Sequence, residues 1–156
     1  MSTRCQIGFY KGADQSLLQP SALIYRHNDG YPNGPHGILA VLMPWAREFH
    51  QRRGLYDAEY AAARALYTLM NAASGPNEMT GYGISNGFHG DLSFYYRVDP
   101  TAVRVYRHGP FGKYLFQILL EVPAEWQNQA PSSSRSSGRV YFRNSRGQFS
   151  PRPLIA

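Results

Sequence analysis

From Asp91 to Val98 the chain alternates strictly, with Leu92, Phe94, Tyr96 and Val98 set against Asp91, Ser93, Tyr95 and Arg97. After a turn at Asp99-Pro100-Thr101 the alternation resumes, Val103 and Val105 against Arg104 and Tyr106. A period of two over this length marks half-buried strands, and two such runs across a short turn form an antiparallel pair. Tyr114 to Val122 (YLFQILLEV) is apolar on both faces and reads as a strand placed centrally in the same sheet.

The N-terminal third adds two more strands. Arg4 to Tyr10 puts Cys5, Ile7 and Phe9 on one face and Arg4, Gln6 and Tyr10 on the other, and Ala22 to His27 follows a turn-rich loop. Helical patterning occupies the middle. Gly37 to Met43 is apolar, Pro44 predicts a kink or break, and a second helical piece runs from Trp45 to Arg53 before Gly54. Asp57 caps a helix from Ala58 to about Ala73, whose Ala62, Ala65, Leu66, Leu69 and Met70 share one face. Gly81 to Ser85 is a short strand. The expected fold is α+β: an antiparallel sheet of about six strands in the order ββααββββ, with two or three helices on one face. Residues 1–126 read as one globular domain, and 127–156 as a flexible Ser/Arg-rich tail. Within that tail Arg139 to Arg143 has the pattern of a strand that could join a neighbour's sheet edge.

Composition narrows the classes. Cys5 is the one cysteine, which excludes an intrachain disulfide and a cysteine-based metal site and points to a reducing compartment. No apolar run is long enough to cross a bilayer and the N-terminus lacks a secretory signal, so a soluble cytoplasmic protein with no membrane partner is expected. The net charge of +6 is concentrated at one end. Residues 131–156 hold Arg135, Arg139, Arg143, Arg146 and Arg152 and no acid, leaving the rest of the chain almost neutral. Nucleic-acid binding through the tail therefore competes with a merely solvated tail. The bases include only two lysines, Lys11 and Lys113, a bias that suits anion recognition but that a GC-rich genome would also produce.

Two segments carry the densest chemistry: Tyr25-Arg26-His27-Asn28-Asp29-Gly30-Tyr31-Pro32, and Gly81-Tyr82-Gly83-Ile84 followed by His89-Gly90-Asp91-Leu92-Ser93-Phe94-Tyr95-Tyr96-Arg97-Val98. With Arg4 and Tyr60-Ala61-Ala62 they resemble a family of small uncharacterised phage and bacterial proteins, over roughly residues 3–107. Its members carry a Tyr-x-His-x-Asp-Gly-Tyr-Pro segment early and a His-Gly-Asp strand later. The resemblance implies a phage or prophage-like origin and brings no settled activity. Pro44 and the long C-terminal tail depart from the pattern.

If the loops around 27–34 and 87–97 meet, their side chains form a polar pocket. Arg4, Arg26, Arg97 and Arg104 would hold phosphates, and Tyr31, Tyr82, Phe88 and Tyr95 would stack on a base. His27, Asp29, His89 and Asp91 would add hydrogen bonds, and Gly30, Gly34, Gly87 and Gly90 would let backbone amides approach an anion. The leading expectation is a homo-oligomeric binding protein for a small anionic nucleotide-like ligand such as a host immune signal. No cofactor is expected. A phosphodiesterase-like enzyme with His27 and His89 as acid and base, assisted by Asp91, is the catalytic alternative. His27, Asp29, His89 and Asp91 have ligand chemistry for zinc or manganese, but their spacing matches no compact metal motif and no metal is expected. Against all of these stands the plain reading that Asp29-Gly30 is a turn, Asp91 a cap and the histidines scaffold.

Overall fold

A computed structural model describes residues 2–73 and 80–120, together with the backbone of two strands at 140–143 and 149–152. Its elements follow the expected order: β1 (Cys5–Phe9), β2 (Ala22–Arg26), α1 (Ile38–Arg52), α2 (Ala58–Ala73), β3 (Tyr82–Ser85), β4 (Phe94–Val98), β5 (Ala102–Arg107) and β6 (Lys113–Leu119). Two further strands, β7 (Val140–Arg143) and β8 (Phe149–Arg152), extend the sheet beyond β6. The strand predicted at Arg139 to Arg143 thus pairs with β6 of its own sheet, through Ile118 and Phe142. The rest of the C-terminal tail lies outside the described residues.

The sheet order is β3-β2-β1-β4-β5-β6-β7-β8. Contrary to the purely antiparallel expectation, it is mixed, because β1 and β4 run parallel with Ile7 opposite Tyr96. The cause is the route of the chain. β3 pairs at the outer edge of β2, so the inner edge of β1 stays open. A chain that turns back over the sheet after β3 then enters β4 in the same direction as β1.

The helices do not break where proline predicted. α1 is continuous through Pro44, and the described residues hold two helices, the lower of the expected two or three. Pro44 forfeits the hydrogen bond to the Ala40 carbonyl, but both residues are exposed, so water can serve that carbonyl. Ile38, Leu39, Leu42, Met43 and Ala46 lie on both sides of the proline and are all buried, which ties the two halves to one sheet face. The start of α1 is capped by the chain before it. The Ile38 N–H donates to the Tyr31 carbonyl at 2.9 Å and the Leu39 N–H to that of Pro32 at 3.2 Å. Asp57 caps α2, its side chain accepting from the Tyr60 N–H at 3.3 Å.

The two sheet faces differ in what covers them. Cys5, Ile7, Phe9, Ile24, Tyr96, Val98, Val103, Val105 and Ile118 point toward the helices and form the main core with them. The opposite face presents Gln6, Leu23, Tyr25, Tyr95, Arg97, Arg104 and Tyr106, as the strand registers require. Loops cover it. A smaller core of Leu23, Leu92 and Tyr95 packs there against Leu17, Tyr25, Phe88 and Tyr106. At the centre of this face Gly8 is obligatory, since a Cβ there would lie 1.9 Å from the Tyr95 hydroxyl oxygen.

Candidate functional site

The loop-covered face carries most of the residues singled out in the sequence. The Tyr25 side chain sits at its centre and touches two imidazoles. Its hydroxyl is 3.0 Å from His27 Nδ1, and its ring stacks on His89 with centroids 4.5 Å apart and planes 11° from parallel. The His89 Nε2 lies 3.2 Å from the Ser85 hydroxyl. His27, Tyr25, His89 and Ser85 thus form one connected row across β2 and β3.

A buried glutamine holds the loop in place. Gln6 is fully buried, and its Nε2 donates to the Gly87 carbonyl at 3.0 Å while its Oε1 accepts from the His89 N–H at 3.1 Å. One side chain therefore fixes two loop residues, and both ends of a buried amide are satisfied. Arg4 closes the lower end by pairing with Asp91, and its carbonyl accepts the Ser93 N–H at 2.9 Å. The stretches around 27 and 87–91 do come together, through Tyr25.

Beside the row opens a recess of about 470 Å³, lined by Leu18, Gln19, Pro20, Ser21, Ala22, Leu23, Ser85, Asn86, Gly87 and Phe88. None of these carries a charge. Its size lies within the roughly 300–1,000 Å³ usual for small-molecule sites. Ser85 is the residue shared by recess and row.

Several other candidate ligands face their own chain. Arg97 is buried, and its Nη2 donates to the carbonyls of Gly12, Ala13 and Gln15 at 3.1, 3.1 and 2.8 Å. Its Nε reaches Asp99 at 3.2 Å. Arg104 pairs with the same carboxylate and donates through Nε to Gln117 at 3.1 Å. Asp99 is fully buried, which raises its pKa, but hydrogen bonds from Thr101 and the charge of Arg104 outweigh burial and leave it below the ordinary value. The Arg97–Asp99–Arg104 group anchors the loop between β1 and β2. Tyr95 is fully buried and bonded to the Tyr10 hydroxyl at 2.5 Å. Burial pushes both phenols up, Tyr10 to about 12.

Arg26 and Tyr82 belong to the opposite face. The Arg26 guanidinium lies 4.8 Å from the Tyr82 ring centre and 4.0 Å from Asp29, which takes a left-handed conformation (φ 54°). Gly30 packs so closely on β1 that a Cβ would lie 2.7 Å from the Thr3 carbonyl oxygen, and its own carbonyl accepts from the Tyr96 hydroxyl at 2.7 Å. With Tyr31 and Pro32 capping α1, the Asp-Gly-Tyr-Pro segment joins β1, β4 and the first helix. Phe88 lines the recess and meets Tyr95 edge-on at 5.6 Å. Among the described residues no group of three His, Cys, Asp or Glu side chains could hold a metal ion, and no helix is long and apolar enough to cross a membrane.

Tyr25, Ser85, Gln6 and Asp99 were not among the expected site residues. Tyr25 lay inside the quoted motif, and the four-residue spacing of Ser85 and His89 was a usable signal; Gln6 and Asp99 gave none beyond a polar residue in a strand and a turn. No family model, curated protein or solved structure matches the chain.

Proposed function

We propose that this chain is a binding protein for a small anionic nucleotide-like ligand, held at the recess beside Ser85 and His89. The observation that carries the reading is the junction of an uncharged recess with a row of imidazole and hydroxyl groups at one residue, Ser85. An uncharged wall containing Phe88, Gln19 and Asn86 suits a planar base, which stacks on the ring and hydrogen-bonds to the amides. The ligand's phosphate would lie over His89 and His27 rather than on Arg97 or Arg104, whose charge is committed to Asp99. Following the resemblance over residues 3–107, the ligand would be a nucleotide signal of host immunity that a phage protein sequesters.

Titration calorimetry against linear and cyclic nucleotides tests this. Saturable heat with at least one member is expected, weakened by at least roughly tenfold in Phe88→Ala and His89→Ala. Absence of heat for every member at micromolar concentration overturns the reading.

The contact of Tyr25 with both imidazoles favours one second reading, phosphodiester cleavage with His27 and His89 as acid and base. Chromatography of the ligand after denaturing the complex separates the two: a binder returns it intact, an enzyme returns products.

A further inference from the structure

We propose that Ser85 is a nucleophile served by His89, and that it accepts the acyl group of a small uncharged ester seated in the recess. This goes beyond the nucleotide reading and does not depend on it. Four observations converge. The Ser85 hydroxyl lies within hydrogen-bond reach of an imidazole nitrogen, His89 Nε2, at 3.2 Å. The imidazole is stacked on one face against the Tyr25 ring, and the His89 backbone N–H is anchored by Gln6, so the ring is oriented toward Ser85 before any substrate arrives. Gln6 in turn is fully buried and also fixes Gly87, which anchors the largely exposed Ser85–His89 turn to the sheet beneath it. Finally, Ser85 forms part of the wall of a recess, where a substrate's carbonyl can be presented to it.

The recess also selects the chemistry. Its lining holds Leu18, Pro20, Leu23 and Phe88 with Gln19, Ser21 and Asn86, and no charged side chain. A phosphate group would sit outside this wall, over His89 and His27, so the wall itself is left to an uncharged group. An acyl ester needs only an apolar slot for the acyl chain and hydrogen-bond donors for one developing oxyanion. Asn86 and Gly87, the next residues on the same wall, are the groups assigned to that oxyanion.

The step balances without any external reagent except water. The Ser85 Oγ forms a bond to the carbonyl carbon as His89 Nε2 takes the hydroxyl proton. The carbon–oxygen bond to the leaving alcohol breaks, and His89 returns the proton to that alkoxide. Water, deprotonated by His89, then attacks the acyl-serine, releasing a carboxylic acid and restoring the Ser85 hydroxyl.

p-Nitrophenyl acetate is the probe. With the full chain, a burst of nitrophenolate is expected, followed by slower turnover, and mass spectrometry should place one acetyl group on the peptide containing Ser85. Ser85→Ala should abolish the burst. His89→Asn, which keeps a planar polar side chain but no base, should slow acylation by about 10²–10⁴-fold. Asn86→Ala should slow it by up to about 10²–10³-fold. Circular dichroism confirms that each variant is folded, and Ser85→Cys guards against a folding artefact because its thiol should still be acylated at the same position. Acetyl groups found on Lys11, Lys113 or a tyrosine but not on Ser85, or acylation of Ser85→Ala at the parent rate, overturns the proposal. Loss of nucleotide heat in calorimetry leaves this result untouched, so the two readings fail separately.

Discussion

The Arg97 guanidinium lies 4.1 Å from the centre of the Tyr10 ring, with Asp99 at its edge and three loop carbonyls at its tip. A buried cation is tolerated because one face lies on the Tyr10 ring and its Nε and Nη2 both meet acceptors. Asp99 is the weak point, since it neutralises Arg97 and Arg104 together while fully buried itself. Asp99→Asn should therefore destabilise the fold by about 3–5 kcal/mol, the usual cost of breaking a buried ion pair. Urea unfolding measures it, and a loss below about 1 kcal/mol would show that the group is dispensable.

The same carboxylate sets an acid limit. In the folded chain Asp99 sits below its ordinary value of 3.8, so the unfolded chain binds its proton more readily. Its contribution is fully present above 3.8 and is lost as pH falls through the lower folded value. The melting temperature of the parent should fall steeply on acidification in that window, and Asp99→Asn should show a shallower fall. Equal slopes would assign the acid sensitivity to other carboxylates.

Strand and helix positions were legible in the sequence because period two and helical spacing act locally: Cys5, Ile7 and Phe9, or Leu92, Phe94 and Tyr96, announce a face without any knowledge of the partner. The parallel pairing of β1 with β4 was not legible, because it depends on how far the chain travels over the sheet after Ser85. The second face misled for a related reason. Tyr95, Arg97 and Arg104 alternate with apolar residues as solvent-facing side chains do, yet loops bury Tyr95 and Arg97 and turn both arginines inward. Two candidate phosphate ligands were in this way read from a pattern that cannot tell water from a loop. That the stretches around His27 and His89 come together was anticipated only as a condition, and Tyr25, the side chain that touches both, stood in the motif as a mere strand residue.

Tyr25 links the two histidines by different means, so they can be separated. Tyr25→Phe removes the hydroxyl contact to His27 Nδ1 and keeps the ring against His89. It should cost about 0.5–1.5 kcal/mol and shift the His27 imidazole resonances while those of His89 stay in place. Tyr25→Leu should move both. Proton NMR of the imidazoles reads the difference, and a His89 response to Tyr25→Phe as large as that of His27 would contradict the separate roles.

Two glycines in the same region should behave oppositely. A methyl at Gly8 collides with the Tyr95 hydroxyl and with the Tyr10 ring edge, 2.9 Å away, both in the buried second face. Gly8→Ala should destabilise by at least about 1–3 kcal/mol, the range for overpacking. At Gly87 a Cβ meets nothing within 4 Å, and Gly87→Ala should stay within about 0.5 kcal/mol of the parent. Thermal unfolding of the pair checks the claim, and a tolerated Gly8→Ala would mean that Tyr95 has another place to go.

Pro44 offers the last test, because it sits where a helix should not accept it. Its ring removes one donor from the middle of α1 and crowds the Ala40 carbonyl, while the buried side chains on either side hold the helix together. Pro44 is exposed, so replacing it leaves the core untouched. Pro44→Ala restores the bond to Ala40 and should stabilise the fold, by less than the roughly 3 kcal/mol separating the two residues in a helix interior, since the unfolded chain also gains freedom. A rise in melting temperature with unchanged denaturant slope is the expected result. A fall would mean that the proline ring is needed to seat Leu42 and Met43 against the sheet.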